Sequence, residues 1–119
     1  MTKKVLICDD DTDILSICTY ILEKQGFEVT TSVHCNNILD IVKGVQPNVI
    51  LMDNWIPDAG GIVASQTIKN SDEFKNIPIV YFSANNDIKA LAAKAGADAF
   101  LPKPFDLEEL ENIIKELVP

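Results

Sequence analysis

The sequence predicts an α/β fold of five β–α units, with a mostly parallel sheet covered by helices on both faces. Short, wholly apolar runs alternate with helix-periodic stretches along the chain, and the connections between them are short. A length of 119 residues suits a single domain, residues 1–119, with no second module. Consecutive strands joined through helices must lie parallel, which sets the architecture.

The elements follow in order. VLIC (5–8) is continuous and apolar, the first strand. Ile14, Ile17, Cys18 and Ile21 then recur at i, i+3, i+4, i+7 and mark the first helix. Asp11, Thr12 or Asp13 starts it, because a side-chain oxygen there accepts from orphan N–H groups and negative charge suits the helix N-terminus. Gly26 ends it, and FEVTT (27–31) is the second strand. Ile38, Ile41, Val42 and Val45 predict a second helix closed by Gly44 and Pro47. VILM (49–52) is the third strand and residues 61–70 the third helix. IVYF (79–82) follows Pro78, and an alanine-rich fourth helix covers 87–95 before Gly96. AFL (99–101) is a short fifth strand; Leu107, Leu110, Ile114 and Leu117 mark a closing amphipathic helix.

The strands sort themselves by composition. VLIC, VILM and IVYF are apolar at every position, as strands buried on both faces must be. FEVTT alternates and carries Glu28 and two threonines, and AFL runs into Pro102; both read as edges. Strands 1, 3 and 4 inside, with 2 and 5 outside, give the flavodoxin-like order 2-1-3-4-5.

Composition narrows the function. The chain is 47% hydrophobic and 24% charged, an ordinary globular balance. A net charge of −8 argues against direct nucleic-acid binding, which needs Lys and Arg on phosphates, and against an anionic membrane surface. Cys8, Cys18 and Cys35 form no CxxC pair, so they read as buried, inert thiols of a reducing compartment. No apolar run spans a bilayer and MTKKVLIC does not read as a signal peptide, so a cytoplasmic location is expected.

In an open α/β sheet, ligands bind beyond the carboxyl ends of the strands where the strand order reverses, here between strands 1 and 3. Strand 1 ends in Asp9 and Asp10, strand 3 in Asp53, and strand 4 in Ser83; Lys103 follows strand 5. A few carboxylates with open positions suit Mg2+. A carboxylate also attacks phosphorus, giving an aspartyl-phosphate, and phosphoryl transfer needs positioning and charge neutralisation. Taken singly, Asp53 would be a loop residue and Lys103 a solvated charge. Their convergence on one rim carries the functional reading.

ICDD, LMDNWIPDAGG, FSA and LPKPF together resemble the receiver domain of two-component response regulators, in order and spacing over essentially the whole chain. The resemblance implies that Asp53 accepts a phosphoryl group from a sensor histidine kinase or histidine phosphotransfer protein. It implies Mg2+ held by Asp10, Asp53 and the backbone carbonyl of Trp55, with Asp9 acting through a metal-bound water. Lys103 would pair with the acyl phosphate and Ser83 would hydrogen-bond it, beside a cis Lys103–Pro104 bond. Ser83 and Phe100 would form the switch. The face of the fourth helix, fifth strand and fifth helix would signal to a downstream protein or output domain and is open to dimerisation.

Some positions depart from the family's common pattern. Ile56 stands where Met often precedes Pro57, Gly60 where Asp often precedes Gly61, and Ser83 where Thr is commoner. Trp55 is bulky at a position that, by the resemblance, borders the path of the hydrolytic water together with Asn85. Its indole either shields the phosphate or packs on the surface against a partner. His34, distant in sequence from other ligand types, reads as a surface residue. The alanines of the fourth helix suit either mobility or close approach to the sheet.

Two other classes compete. A haloacid-dehalogenase-type phosphatase needs Thr or Val at the fifth place of DxDx[TV], and counting from Asp9 that place holds Asp13. A degenerate receiver, acting as a phosphorylation-independent interaction module, would have little need of Asp9, Asp10, Asp53, Ser83 and Lys103 together. A receiver assists only its own phosphorylation and dephosphorylation, so it is not expected to be an enzyme. No output domain is expected within these residues, and action alone or within a longer protein stays open.

Overall fold

In a computed structural model describing residues 2–56 and 60–118, strand and helix alternate throughout. The elements are β1 (Lys4–Cys8), α1 (Thr12–Lys24), β2 (Glu28–Ser32), α2 (Ile38–Val45) and β3 (Val49–Asp53). They continue with α3 (Gly60–Lys69), β4 (Ile79–Ser83), α4 (Ile88–Ala95), β5 (Ala99–Pro102) and α5 (Leu107–Leu117). Residues 57–59 of the LMDNWIPDAGG motif, Pro57 among them, fall outside the described residues.

The five strands are parallel in the order β2-β1-β3-β4-β5, as their composition predicted. Every residue of β3 and β4 is buried, whereas β2 and β5 are largely open to solvent. The sheet divides the apolar interior into two layers, because successive side chains point to opposite faces. Leu6, Ile50, Met52 and Tyr81 pack with Ile38, Val42, Ile68 and Ala92 beneath α2, α3 and α4. Val5, Ile7, Leu51 and Phe82 pack with Leu15, Leu22, Leu110 and Ile114 beneath α1 and α5. Each such buried side chain contributes roughly 2 kcal/mol.

Helix ends explain themselves locally. Asp11 caps α1, its carboxylate accepting from the N–H groups of Asp13 and Ile14 at 3.0 and 3.3 Å. At the other end Gly26, with φ 92°, donates to the Glu23 carbonyl while Phe27 donates to that of Leu22. This is the paired 5→2 and 6→1 closure that a left-handed glycine permits. Beyond α3, Lys69 Nζ donates to the carbonyls of Lys75 and Ile77 and lies 2.7 Å from Asp98 Oδ2. Asp98 also accepts from the Ile79 N–H, so this network ties the start of β4 to the turn before β5.

Three expectations need correction. Ile17 is 50% exposed, and α1 instead buries Leu15, Cys18, Ile21 and Leu22. Two apolar stripes overlap on this helix, and the one with the leucines faces the sheet. Leu107, the first residue of α5, is exposed, and that helix is anchored by Leu110 and Ile114. The second helix runs through Gly44 and ends at Gln46, whose φ is 53°. Pro47 is the cause, since a proline disfavours helical geometry in the residue before it.

The remaining surface and core features are plain. His34 is exposed. All three cysteines are buried, and no disulfide occurs among the described residues. Burial pushes the Cys8 thiol up to about 12 and that of Cys18 to about 11. Ala92 and Ala95 face inward, so the small side chains of α4 let it lie close on the sheet. Among the described residues no helix is long and apolar enough to cross a membrane.

Candidate functional site

Strand register assembles the site. Cys8 of β1 pairs with Met52 of β3, so Asp9 and Asp53 leave neighbouring strands side by side. Asp53 pairs with Phe82 and Ser83 with Pro102, which brings Ser83 and then Lys103 onto the same rim. The Lys103 N–H donates to the Ser83 carbonyl at 2.9 Å, continuing the ladder one step past β5. The Lys103–Pro104 peptide is cis.

Lys103 is the centre of the cluster. Its Nζ donates to Asp9 Oδ2 at 2.8 Å and to Asp53 Oδ1 at 2.9 Å. It also lies 4.5 Å from the centroid of the Phe82 ring, whose π face favours a cation. The other carboxylate oxygens turn back on the local backbone. Asp9 Oδ1 accepts from the Asp11 N–H at 2.9 Å, and Asp53 Oδ2 from the Trp55 N–H at 3.2 Å.

Burial and charge oppose each other here. Burial pushes the Asp9 carboxyl above its ordinary range, against the pull of its hydrogen bonds from Lys103 and Asp11, and the nearby Asp53 charge adds to the rise. For Lys103 burial works against the ammonium. Its hydrogen bonds to Asp9 and Asp53, with the attraction of both charges, outweigh this and hold it above the usual lysine value.

Asp9 and Asp53 are buried and Asp10 is exposed, and one ligand oxygen from each lies within 4.8 Å of the others. Three carboxylates against one ammonium leave two formal negative charges unmatched on the rim. An all-oxygen donor set with one side open to water fits a hard divalent cation such as Mg2+, which keeps several waters of its own.

The other predicted positions sit around this centre. Ser83 is buried, and its Oγ accepts from the Asn85 N–H at 3.1 Å. Asn85 is exposed, and its Oδ1 accepts from the Asp87 N–H. Trp55 is 75% exposed, its indole standing out from the rim. Phe100 is 39% exposed and pairs with Tyr81 inside the sheet, two positions short of Pro102.

Three contributors went unnoticed in the sequence. Phe82 supplies the ring under Lys103. Gly61 is required sterically, because a Cβ there would stand 2.1 Å from the Asp53 carbonyl oxygen. Tyr81 is fully buried, and its hydroxyl donates to Oδ1 of Asn54, the residue after Asp53. Burial first, then the Asp53 charge, pushes this phenol up to about 12. A signal for Tyr81 did exist, since a tyrosine in a strand buried on both faces needs a partner for its hydroxyl.

Known proteins resemble this chain in sequence and in fold. The chain is 34% identical, over 92% of its length, to the CAI-1 autoinducer sensor kinase/phosphatase CqsS of Vibrio cholerae, and spans only 16% of that protein. It is 33% identical to Protein PilG of Pseudomonas aeruginosa, covering 98% of this chain and 87% of PilG. Among solved structures, a CheY-like response regulator receiver domain protein from Methanospirillum hungatei superposes with a TM-score of 0.85 at 27% identity, covering 99% of this chain and 95% of its own. The receiver domain of sensor histidine kinase PA1611 from P. aeruginosa, which carries a magnesium ion in its active-site cleft, has the same fold. It gives a TM-score of 0.90 at 22% identity, covering 99% of this chain and 98% of its own. The sequence profile of the response regulator receiver domain matches residues 5–115, nearly the entire chain, and the chain therefore belongs to the receiver domain family of two-component response regulators.

Proposed function

We propose that this receiver takes a phosphoryl group onto Asp53 from a sensor histidine kinase or a histidine phosphotransfer protein. The observation that carries the proposal is the position of Lys103 Nζ, 2.8 Å from Asp9 and 2.9 Å from Asp53, with Asp10 completing the acidic rim. An Asp53 carboxylate oxygen forms the new bond to phosphorus as the bond from phosphorus to the donor's imidazole nitrogen breaks. That nitrogen keeps the electron pair and is protonated as it leaves. Transfer of this kind needs little covalent help and much placement.

The chain's own residues supply the placement. Lys103 exchanges its hydrogen bond to Asp53 for one to a phosphoryl oxygen without leaving the rim. Ser83 Oγ, already accepting from the Asn85 N–H, keeps its own O–H to donate to the phosphoryl group. Asp10, Asp53 and the Trp55 carbonyl would hold Mg2+ directly, and Asp9 through water. When bound, Mg2+ offsets the charge on the phosphoryl oxygens.

A Ser83 drawn toward the phosphate vacates space beside β5, and Phe100, half-exposed at that edge, turns inward. The face of α4, β5 and α5 then reads out to a downstream protein or output domain, or to a second copy of the domain. The reaction belongs to the cytoplasm, where thiols stay reduced, in keeping with three buried cysteines and no disulfide among the described residues.

Intact mass after incubation with a small phosphodonor and Mg2+ tests the site. A phosphoryl adduct that needs Mg2+ and disappears in Asp53→Asn is expected. No adduct from either the small donor or a partner kinase, with Mg2+ still bound, would leave a phosphorylation-independent interaction module.

A further inference from the structure

Tyr81 sits at the middle of β4 with no exposed surface, in the layer formed by Met52, Ile88 and Ala92. A phenylalanine would fill the same space. The hydroxyl is the difference, and it donates to the side chain of Asn54 rather than to a backbone carbonyl. Asn54 links Asp53 to Trp55. Its own carbonyl accepts from the Gly61 N–H at 3.2 Å, and Gly61 lies hard against the Asp53 carbonyl. The one residue between the phosphoacceptor and Trp55 is thus gripped twice, by the sheet through its side chain and by the start of α3 through its main chain.

Resting on the phosphoacceptor reading above, we propose that Tyr81 is a positioning residue for the Asp53 site, acting through Asn54. Its hydroxyl fixes the Asn54 side chain and with it the peptide plane leading to Trp55. That plane, whose carbonyl Gly61 also holds, keeps the Trp55 N–H on Asp53 Oδ2 and anchors the chain one peptide before the Trp55 carbonyl, the ligand that the rim would supply from its backbone. With the side-chain grip gone, the Gly61 hydrogen bond alone would hold that peptide, and the Trp55 groups would wander while Asp9, Asp10 and Asp53 stayed in place. Losing a residue that orients a metal ligand from behind typically costs about 10–100-fold in metal affinity.

Calorimetric titration of the full chain with Mg2+ tests this, using Tyr81→Phe, Asn54→Ala and the double variant. Thermal unfolding in chelator reports any purely structural loss. Each single variant is expected to weaken Mg2+ binding by about tenfold, and the double variant no more than either single one, because both remove the same bond. Mg2+ affinity within twofold of the unmodified chain in Tyr81→Phe, whatever its unfolding temperature, would overturn the inference, as would strictly additive losses in the double variant. Should Tyr81→Phe fold poorly, Asn54→Ala decides alone by the same twofold criterion. Failure of the unmodified chain to bind Mg2+ would overturn the phosphoacceptor reading itself, which is a different result from unchanged variants.

Discussion

Lys103 Nζ lies 2.9 Å from Asp53 Oδ1, a contact between residues fifty positions apart in sequence. The ammonium also holds Asp9 at 2.8 Å, so a single cation offsets two buried carboxylates. Much of what the domain does under perturbation follows from that ratio.

Replacing Lys103 with Met leaves Asp9 and Asp53 buried without their cation. Breaking a buried ion pair from one side costs roughly 3 kcal/mol. Urea unfolding in chelator should show a loss of that size, and Mg2+ should restore more stability to Lys103→Met than to the unmodified chain. Equal recovery in both would mean that the cation and the ammonium do not share the same charges.

The raised Asp9 carboxyl gives a pH dependence of definite sign. Its folded value lies above the ordinary 3.8, so the folded state holds the proton more tightly than the unfolded chain does. Without metal, its contribution is present in full below 3.8 and is lost as pH rises through the folded value. Mg2+ needs the carboxylate and reverses the trend. Unfolding curves from acid to neutral pH, with and without Mg2+, should therefore slope in opposite directions for this group, and Asp9→Asn should remove its share of the metal-free slope.

Two glycines behave oppositely. Gly61→Ala forces a Cβ to within 2.1 Å of the Asp53 carbonyl oxygen, so the chain must shift at Asp53. A loss of about 3 kcal/mol and a weaker response to phosphodonor are expected. Gly44 lies inside α2, where an added methyl would meet nothing within 4 Å, and Gly44→Ala should stabilise by about 0.5–1 kcal/mol. Chemical denaturation of the two variants side by side is the check.

Trp55, 75% exposed beside Asp53, would screen a phosphoryl group on Asp53 from water under the proposed function. Trp55→Ala should speed loss of the phosphoryl group while changing stability by less than about 0.5 kcal/mol, as exposed substitutions do. An unchanged dephosphorylation rate, followed by mass after donor removal, would assign the indole to surface packing or a partner instead.

The strand order was legible because three strands are four-residue apolar runs, one alternates with polar residues, and one is short and runs into Pro102. Asp9, Asp10, Asp53, Ser83 and Lys103 were legible because they follow those strands directly. The rotation of α1 was not, since the stripe with Ile17 and the stripe with Leu15 and Leu22 have equal periodicity. Strands buried on both faces show no alternation either, so nothing in IVYF told which side Tyr81 and Phe82 would take. As it happens they take opposite sides, and each reaches the site from its own.

The strand order also divides the site by origin. All three carboxylates come from the first half of the chain, through β1 and β3, while the hydroxyl and the ammonium come from the second, after β4 and β5. The seam between β3 and β4 is therefore a boundary between a carboxylate half and a half that supplies hydrogen-bond donors. An anion attached to Asp53 answers to both, so it works as a staple across that seam, and severing the chain between α3 and β4 would yield two complementary pieces, neither holding a whole site.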